Sequence, residues 1–150
     1  MCEEQKKRRL PPDQEATDHI LRWGSDHPGI TSTNPQLKLA TYKLEVDGEV
    51  ENPVTLSWND FMKLPKTQSV SDFHCVESWS VLNCKWEGVH IREIDKIVKP
   101  KDVAKAVTFE SADSYTTSLF LEELQGDDVL LAYKLMMKCW KKATGFQCVS

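Results

Sequence analysis

The chain has 150 residues, 40% of them hydrophobic and 28% charged, with a formal net charge of −4. That length suits one globular domain whose core needs no disulfide or metal staple, and the acidic balance speaks against nucleic acid as a partner. Five cysteines (Cys2, Cys75, Cys84, Cys139 and Cys148) without a CxxC pair indicate neither a zinc ribbon nor a thioredoxin-type site.

Residues 1–12, "MCEEQKKRRLPP", form a charged and then proline-rich stretch with no apolar run behind its basic cluster. It reads as a flexible tail, with no signal peptide and no membrane span, and a cytoplasm with free thiols is expected. "ATDHILRWGSDHPGI" has room for a short helix before Gly24, Pro28 and Gly29 break it. From Tyr42, alternation of Tyr42, Leu44 and Val46 with Lys43 and Glu45 predicts a strand, followed by the hairpin turn signal Asp47-Gly48. "PVTLSW" continues extended. Ser57 with Asp60 three residues later is a capping pattern for a short helix that runs through Phe61 and Leu64 to Pro65.

"SVSDFHCV" is a further extended run. Beyond Gly88, Ile91, Ile94, Ile97 and Val98 recur at helical spacing until Pro100. "AKAVTFES" and "YTTSLFL" predict two strands around the turn "ADS", and "LEEL" one helical turn. "DDVLLAY" is an apolar strand. No internal repeat or low-complexity segment occurs. The elements are short, mixed and mostly β, the pattern of an α+β domain.

Within "DFHCVESWS", Cys75 stands between His74 and Val76. A lone cysteine on an extended apolar run is most often a small buried hydrophobe. A zinc site can be written from His74, Cys75, Cys84 and His90, although adjacent residues of a strand face opposite ways and the spacing matches no common zinc module. A Cys–His nucleophile is a third reading, with nothing local to specify it. Trp79 and Trp86 read as core, and "SADSYTTS" as a hairpin turn whose hydroxyls could cradle a ligand.

Four stretches in one order carry the reading further: "GEVENPVTLSWNDFMKLP", "DFHCVESWSVLNCKWEGVHIREI", "VTFESADSYTTSLFLEEL" and "VLLAY". Together they resemble the molybdopterin-binding domain of the sulfite oxidase family, and in particular its short prokaryotic members, whose opening "RLPPDQ" and "ILRWGSDHPGI" also resemble. The likeness spans roughly residues 9–135. It implies a mixed, mostly β fold and a molybdenum–molybdopterin cofactor. In the family, the cysteine of the "HCVxxWS" pattern is the one protein ligand of molybdenum, a role that the resemblance gives to Cys75. A thiolate is a soft, strongly donating ligand, and metal binding keeps it deprotonated. Ser111 in "FES" matches a hydroxyl residue that bonds the cofactor. Leu21 and Arg22 stand in a segment that lies beside the pterin, where main-chain contacts carry over. The implied reaction is oxygen-atom transfer to or from a small sulfur-containing substrate, with electrons passing to or from a separate partner such as a haem protein.

After "LLAYKL" the family continues with a polar turn, "HGxPxR" and a basic loop that grip the pterin and its phosphate. Here "MMKCWKKATGFQCVS" follows instead, with two of the five cysteines, two of the four methionines, three lysines and no acid in the last 15 residues. Residues 13–135 are therefore expected to be an incomplete molybdopterin-binding domain and 136–150 a non-family tail. A frameshift is the expected explanation, because the neighbouring frame permits a polar turn followed by "HGFPVR"; the alternative is a truly divergent tail. A chain truncated in this way would bare apolar surface and a sheet edge, favouring self-association. Two other readings are an inactive fragment unable to keep the cofactor, and a non-molybdenum module built for zinc or for protein interaction.

Overall fold

The computed structural model describes residues 10–20 and 36–136. The fold is mixed and mostly β, as expected. Its strands are β1 (Glu15–Thr17), β2 (Lys43–Val46), β3 (Val54–Ser57), β4 (Lys66–His74), β5 (Trp79–His90), β6 (Ala106–Glu110), β7 (Thr116–Phe120) and β8 (Leu130–Met136). Two short helices, α1 (Trp58–Phe61) and α2 (Ile91–Val98), and two 3-10 turns at Leu39–Thr41 and Glu123–Gln125 lie between them.

β5 is the spine of the main sheet. β4 runs antiparallel along one edge, while the other edge is shared by β1, parallel beside Trp79–Val81, and β8, antiparallel beside Lys85–His90. The motifs do not announce this twelve-residue strand, because the period-2 alternation that marks a strand is interrupted inside it. Asn83 has φ 58° in the left-handed region, and its amide donates to Asp72 Oδ1 at 2.8 Å, across the irregularity between Ser71 and Phe73 in β4. Each such irregularity exchanges the faces of the sheet. Trp79, Ser80 and Val81 are consecutive and all buried, as fits a strand end covered on both faces.

β2 pairs with β3, and β6 with β7, as antiparallel ladders of their own. The capping pattern forms as read: Asp60 N–H donates to Ser57 Oγ at 3.2 Å, and the hydroxyl donates to Asp60 Oδ2 at 2.6 Å. α2 buries Ile91, Ile94 and Val98, the apolar stripe visible in the sequence. His90 Nδ1 accepts from Arg92 N–H at its start, and Lys99 in the left-handed region ends it. The buried residues Phe61, Trp79, Val81, Cys84, Val89, Ile91, Ile94, Val98 and Leu124 make the core. Each large apolar side chain among them contributes about 1.5–3 kcal/mol by leaving water.

Three expectations change. Ala16 and Thr17, the first residues of the stretch with room for a short helix, belong to strand β1 because its backbone bonds to the edge of β5, and residues 21–30 of that stretch lie outside the described residues. Asp47-Gly48 turns the chain, with Gly48 at φ 86°, but does not close a two-residue hairpin. The connection from β2 to β3 runs over residues 47–53 and is anchored to the end of α2 by Glu51 N–H to Lys99 O and Asn52 N–H to Val98 O, both 3.0 Å. Cys75 lies one residue beyond β4, on a turn, not on the strand.

Candidate functional site

β4 ends at His74 and β5 begins at Trp79, so residues 75–78 must reverse the chain. Cys75 N–H donates to Trp79 O at 2.9 Å, and Ser78 N–H donates back to Cys75 O at 3.2 Å. The reversal needs Ser78 at φ 68°, a conformation that costs a residue with a Cβ about 1–2 kcal/mol. Surrounding contacts hold it there. Glu15 N–H donates to Ser78 O at 2.9 Å, and Gln14 Nε2 donates to Cys75 O at 2.9 Å. A segment sixty residues upstream thus braces the turn, brought there by the parallel pairing of β1 with β5.

The thiol of Cys75 is half-buried. Its side chain packs on the cluster of Trp79, Val81 and Cys84, and Sγ points to Glu77 Oε2 at a weak 3.9 Å. Val76 beside it is 97% exposed, so the apolar cluster meets solvent at this turn. Cys84 is a different kind of thiol. It is fully buried, donates to Val81 O at 3.5 Å, and burial pushes its pKa up, which keeps it protonated and inert.

The residues of the zinc reading are not brought together. Cys84 is committed to the core, His90 caps α2, and His74 Nδ1 bonds Ser80 Oγ at 2.7 Å. Among the described residues, no group of three or more His, Cys, Asp or Glu side chains could hold a metal ion. The buried indole N–H of Trp79, in the cluster under Cys75, finds no hydrogen-bond partner among the described residues. An orphan donor of this sort is expected next to a group that accepts.

Ser111 is exposed at the mouth of the β6–β7 hairpin, where its N–H donates to Tyr115 O at 2.8 Å and its carbonyl accepts from Ser114 at 2.9 Å. That ladder is separate in hydrogen bonding from the sheet that carries Cys75. Leu21 and Arg22 lie outside the described residues, as do residues 137–150. Gln14 and Ser80 belong to the site; Ser80 is the serine of the "HCVxxWS" pattern, to which no role was given, and no motif contains Gln14 as a site residue. The available signal was a serine inside the apolar run Trp79-Ser80-Val81; Gln14 gave none.

The site is thus a half-buried thiol on a braced turn in a mostly β fold. The family model for the oxidoreductase molybdopterin-binding domain matches residues 31–146, and the chain belongs to that family, the sulfite oxidase type of fold. The matched span runs on past Leu135 into the residues read above as a tail. The chain is 32% identical over 127 residues to the uncharacterized oxidoreductase YuiH of Bacillus subtilis, covering 83% of this chain and 61% of that protein. It is 30% identical over 105 residues to the protein-methionine-sulfoxide reductase catalytic subunit MsrP of Campylobacter jejuni, covering 69% of this chain and 35% of that protein. The sulfane dehydrogenase SoxCD of Paracoccus pantotrophus shares the fold, with a TM-score of 0.62 and 22% identity over 69% of this chain and 31% of that chain. The chain spans less than two thirds of the length of each of these relatives. No helix among the described residues is long and apolar enough to cross a membrane.

Proposed function

We propose that the chain is a molybdenum-cofactor oxidoreductase domain with Cys75 as the thiolate ligand, acting on a small sulfur-containing substrate. The observation that carries this is the thiol itself: half-buried, free of any disulfide, and held on a turn whose backbone is bonded at Cys75 N–H and O and at Ser78 N–H and O. Molybdopterin, when bound, supplies two-electron redox chemistry and the exchange of an oxygen atom. The protein ligates through Cys75, fixes the direction of that sulfur through the turn, and places an apolar cluster beneath it. The orphan N–H of Trp79 supports an accepting group close by.

Sulfur as the substrate element is supported by the MsrP relative, which is named for methionine sulfoxide. Ser111, Leu21 and Arg22 are proposed as further cofactor contacts, Ser111 through its hydroxyl and Leu21 and Arg22 through their main chain. The electrons pass to or from a separate redox protein of the haem type, and the cytoplasm is the proposed compartment. The test is turnover by cofactor-loaded protein. Methionine sulfoxide is offered with reduced viologen as electron donor, and sulfite with ferricyanide as acceptor. Turnover in one of the two, lost in Cys75→Ala, is the expected result. A loaded chain that turns over neither would overturn the sulfur-substrate reading.

A further inference from the structure

Ser80 is a fully buried polar residue in the apolar start of β5, and its hydroxyl joins the side chains of Gln14 and His74. Its Oγ lies 2.7 Å from Gln14 Oε1 and 2.7 Å from His74 Nδ1, while Gln14 Nε2 donates to Cys75 O at 2.9 Å. The proton positions follow from donor and acceptor chemistry alone. A carbonyl oxygen can only accept, so the amide nitrogen of Gln14 faces Cys75 O and its oxygen faces Ser80. The serine's single proton is then committed to Gln14 Oε1. The hydroxyl must accept from His74, so His74 carries a hydrogen on Nδ1 at the exposed end of β4.

The result is a relay of three hydrogen bonds: His74 to Ser80, Ser80 to Gln14, Gln14 to the carbonyl of Cys75. Its two ends are the residue before the thiol and the thiol's own backbone. We infer that Gln14 and Ser80 are positioning residues for the Cys75 thiolate, and that this relay sets the direction of the sulfur by holding the turn at both ends. The consequence for cofactor binding rests on the function proposed above; the effect on the thiol does not.

The test uses the full 150-residue chain without cofactor. Alkylation of Cys75 by iodoacetamide is followed by peptide mass spectrometry in the wild type, Gln14→Met, Gln14→Glu, Ser80→Ala and Ser57→Ala. Gln14→Met removes both arms of the side chain, whereas Gln14→Glu keeps an acceptor for Ser80, loses the donor to Cys75 O and adds a carboxylate charge. Loss of one such hydrogen bond should raise the reactive population of the turn about fivefold. Both Gln14 variants should show it, together with faster amide exchange at Ser78. Ser57→Ala weakens the distant α1 cap and should leave Cys75 alkylation at the wild-type rate, so general loosening of the fold is separated from the local effect. Ser80→Ala is expected to behave like Gln14→Met. Should it fail to fold, the half-exposed Gln14 still carries the test. Cys75 alkylation unchanged in both Gln14 variants, or raised equally by Ser57→Ala, would overturn the inference. Molybdenum content is measured in parallel. Faster alkylation in a chain that never holds molybdenum would leave the positioning role standing and remove the proposed function alone.

Discussion

At the scale of single residues, the two described thiols of this domain have been given opposite environments by their neighbours. Cys84 sits in the core with its pKa raised by desolvation, while Cys75 lies at the rim of the same cluster. In the native chain, iodoacetamide should therefore modify Cys75 at least about tenfold faster than Cys84, and the difference should vanish in denaturant. Equal native rates, read by mass spectrometry, would contradict the placement of Cys75 on an accessible turn. A second residue-scale prediction concerns Tyr133, whose hydroxyl donates to Glu87 Oε1 at 2.7 Å. Burial and the Glu87 carboxylate push its pKa up to about 12 from an ordinary 10.0. The protonated phenol is thus favoured in the fold, and its contribution is complete below pH 10 and lost as the pH rises through about 12. Glu87 is held below its ordinary 4.5 by the hydrogen bonds from Tyr133 and Gln68, so its contribution is present above that value and fades as the pH falls. Tyr133→Phe should flatten both limbs of a plot of melting temperature against pH. A variant whose two limbs match the wild type would show that the pair is not coupled to folding.

At the scale of elements, the junction of β5 with β8 is the most exacting position. Gly88 sits where the register shifts, and a Cβ there would lie 2.5 Å from Leu131 O, 2.6 Å from Leu130 Cδ1 and 2.9 Å from Ala132 Cα. Two of those atoms are backbone and cannot give way without parting the strands. Gly88→Ala should cost about 1–3 kcal/mol in urea unfolding, against a few tenths for the same change at an open site. An unaffected midpoint would mean that β8 does not pack here as described. The same scale explains what could be read ahead of the structure. α2 was legible because Ile91, Ile94, Ile97 and Val98 follow the helical period, and α1 because Ser57 and Asp60 are a local capping pair. β5 was not, since Asn83 and Gly88 mark irregularities that break alternation and only its partners reveal it. Of the site, Cys75 was legible through its motif. Gln14 was not, because its contacts to Cys75 and Ser80 span more than sixty residues, and the motif that contains Ser80 does not say what its hydroxyl bonds.

At the scale of the whole molecule, the main sheet is well covered around β5, while the β6–β7 ladder stands apart. Every residue of β7 is exposed, with Phe120 at 60% and Val103 nearby in sequence at 68%. Apolar surface of this kind, on a two-stranded ladder, favours contact between molecules. Sedimentation velocity should show association that grows with concentration and is reduced by Phe120→Ser. A monodisperse wild-type monomer would contradict that. The central claim, however, concerns metal at Cys75. It is tested most directly by expressing the chain and its Cys75→Ser variant in a host that makes molybdenum cofactor, then measuring molybdenum, zinc and released pterin in both. Molybdenum and pterin together are expected in the wild type, and neither in a Cys75→Ser protein that still melts cooperatively. Zinc in place of molybdenum, or equal molybdenum in the two proteins, would contradict it.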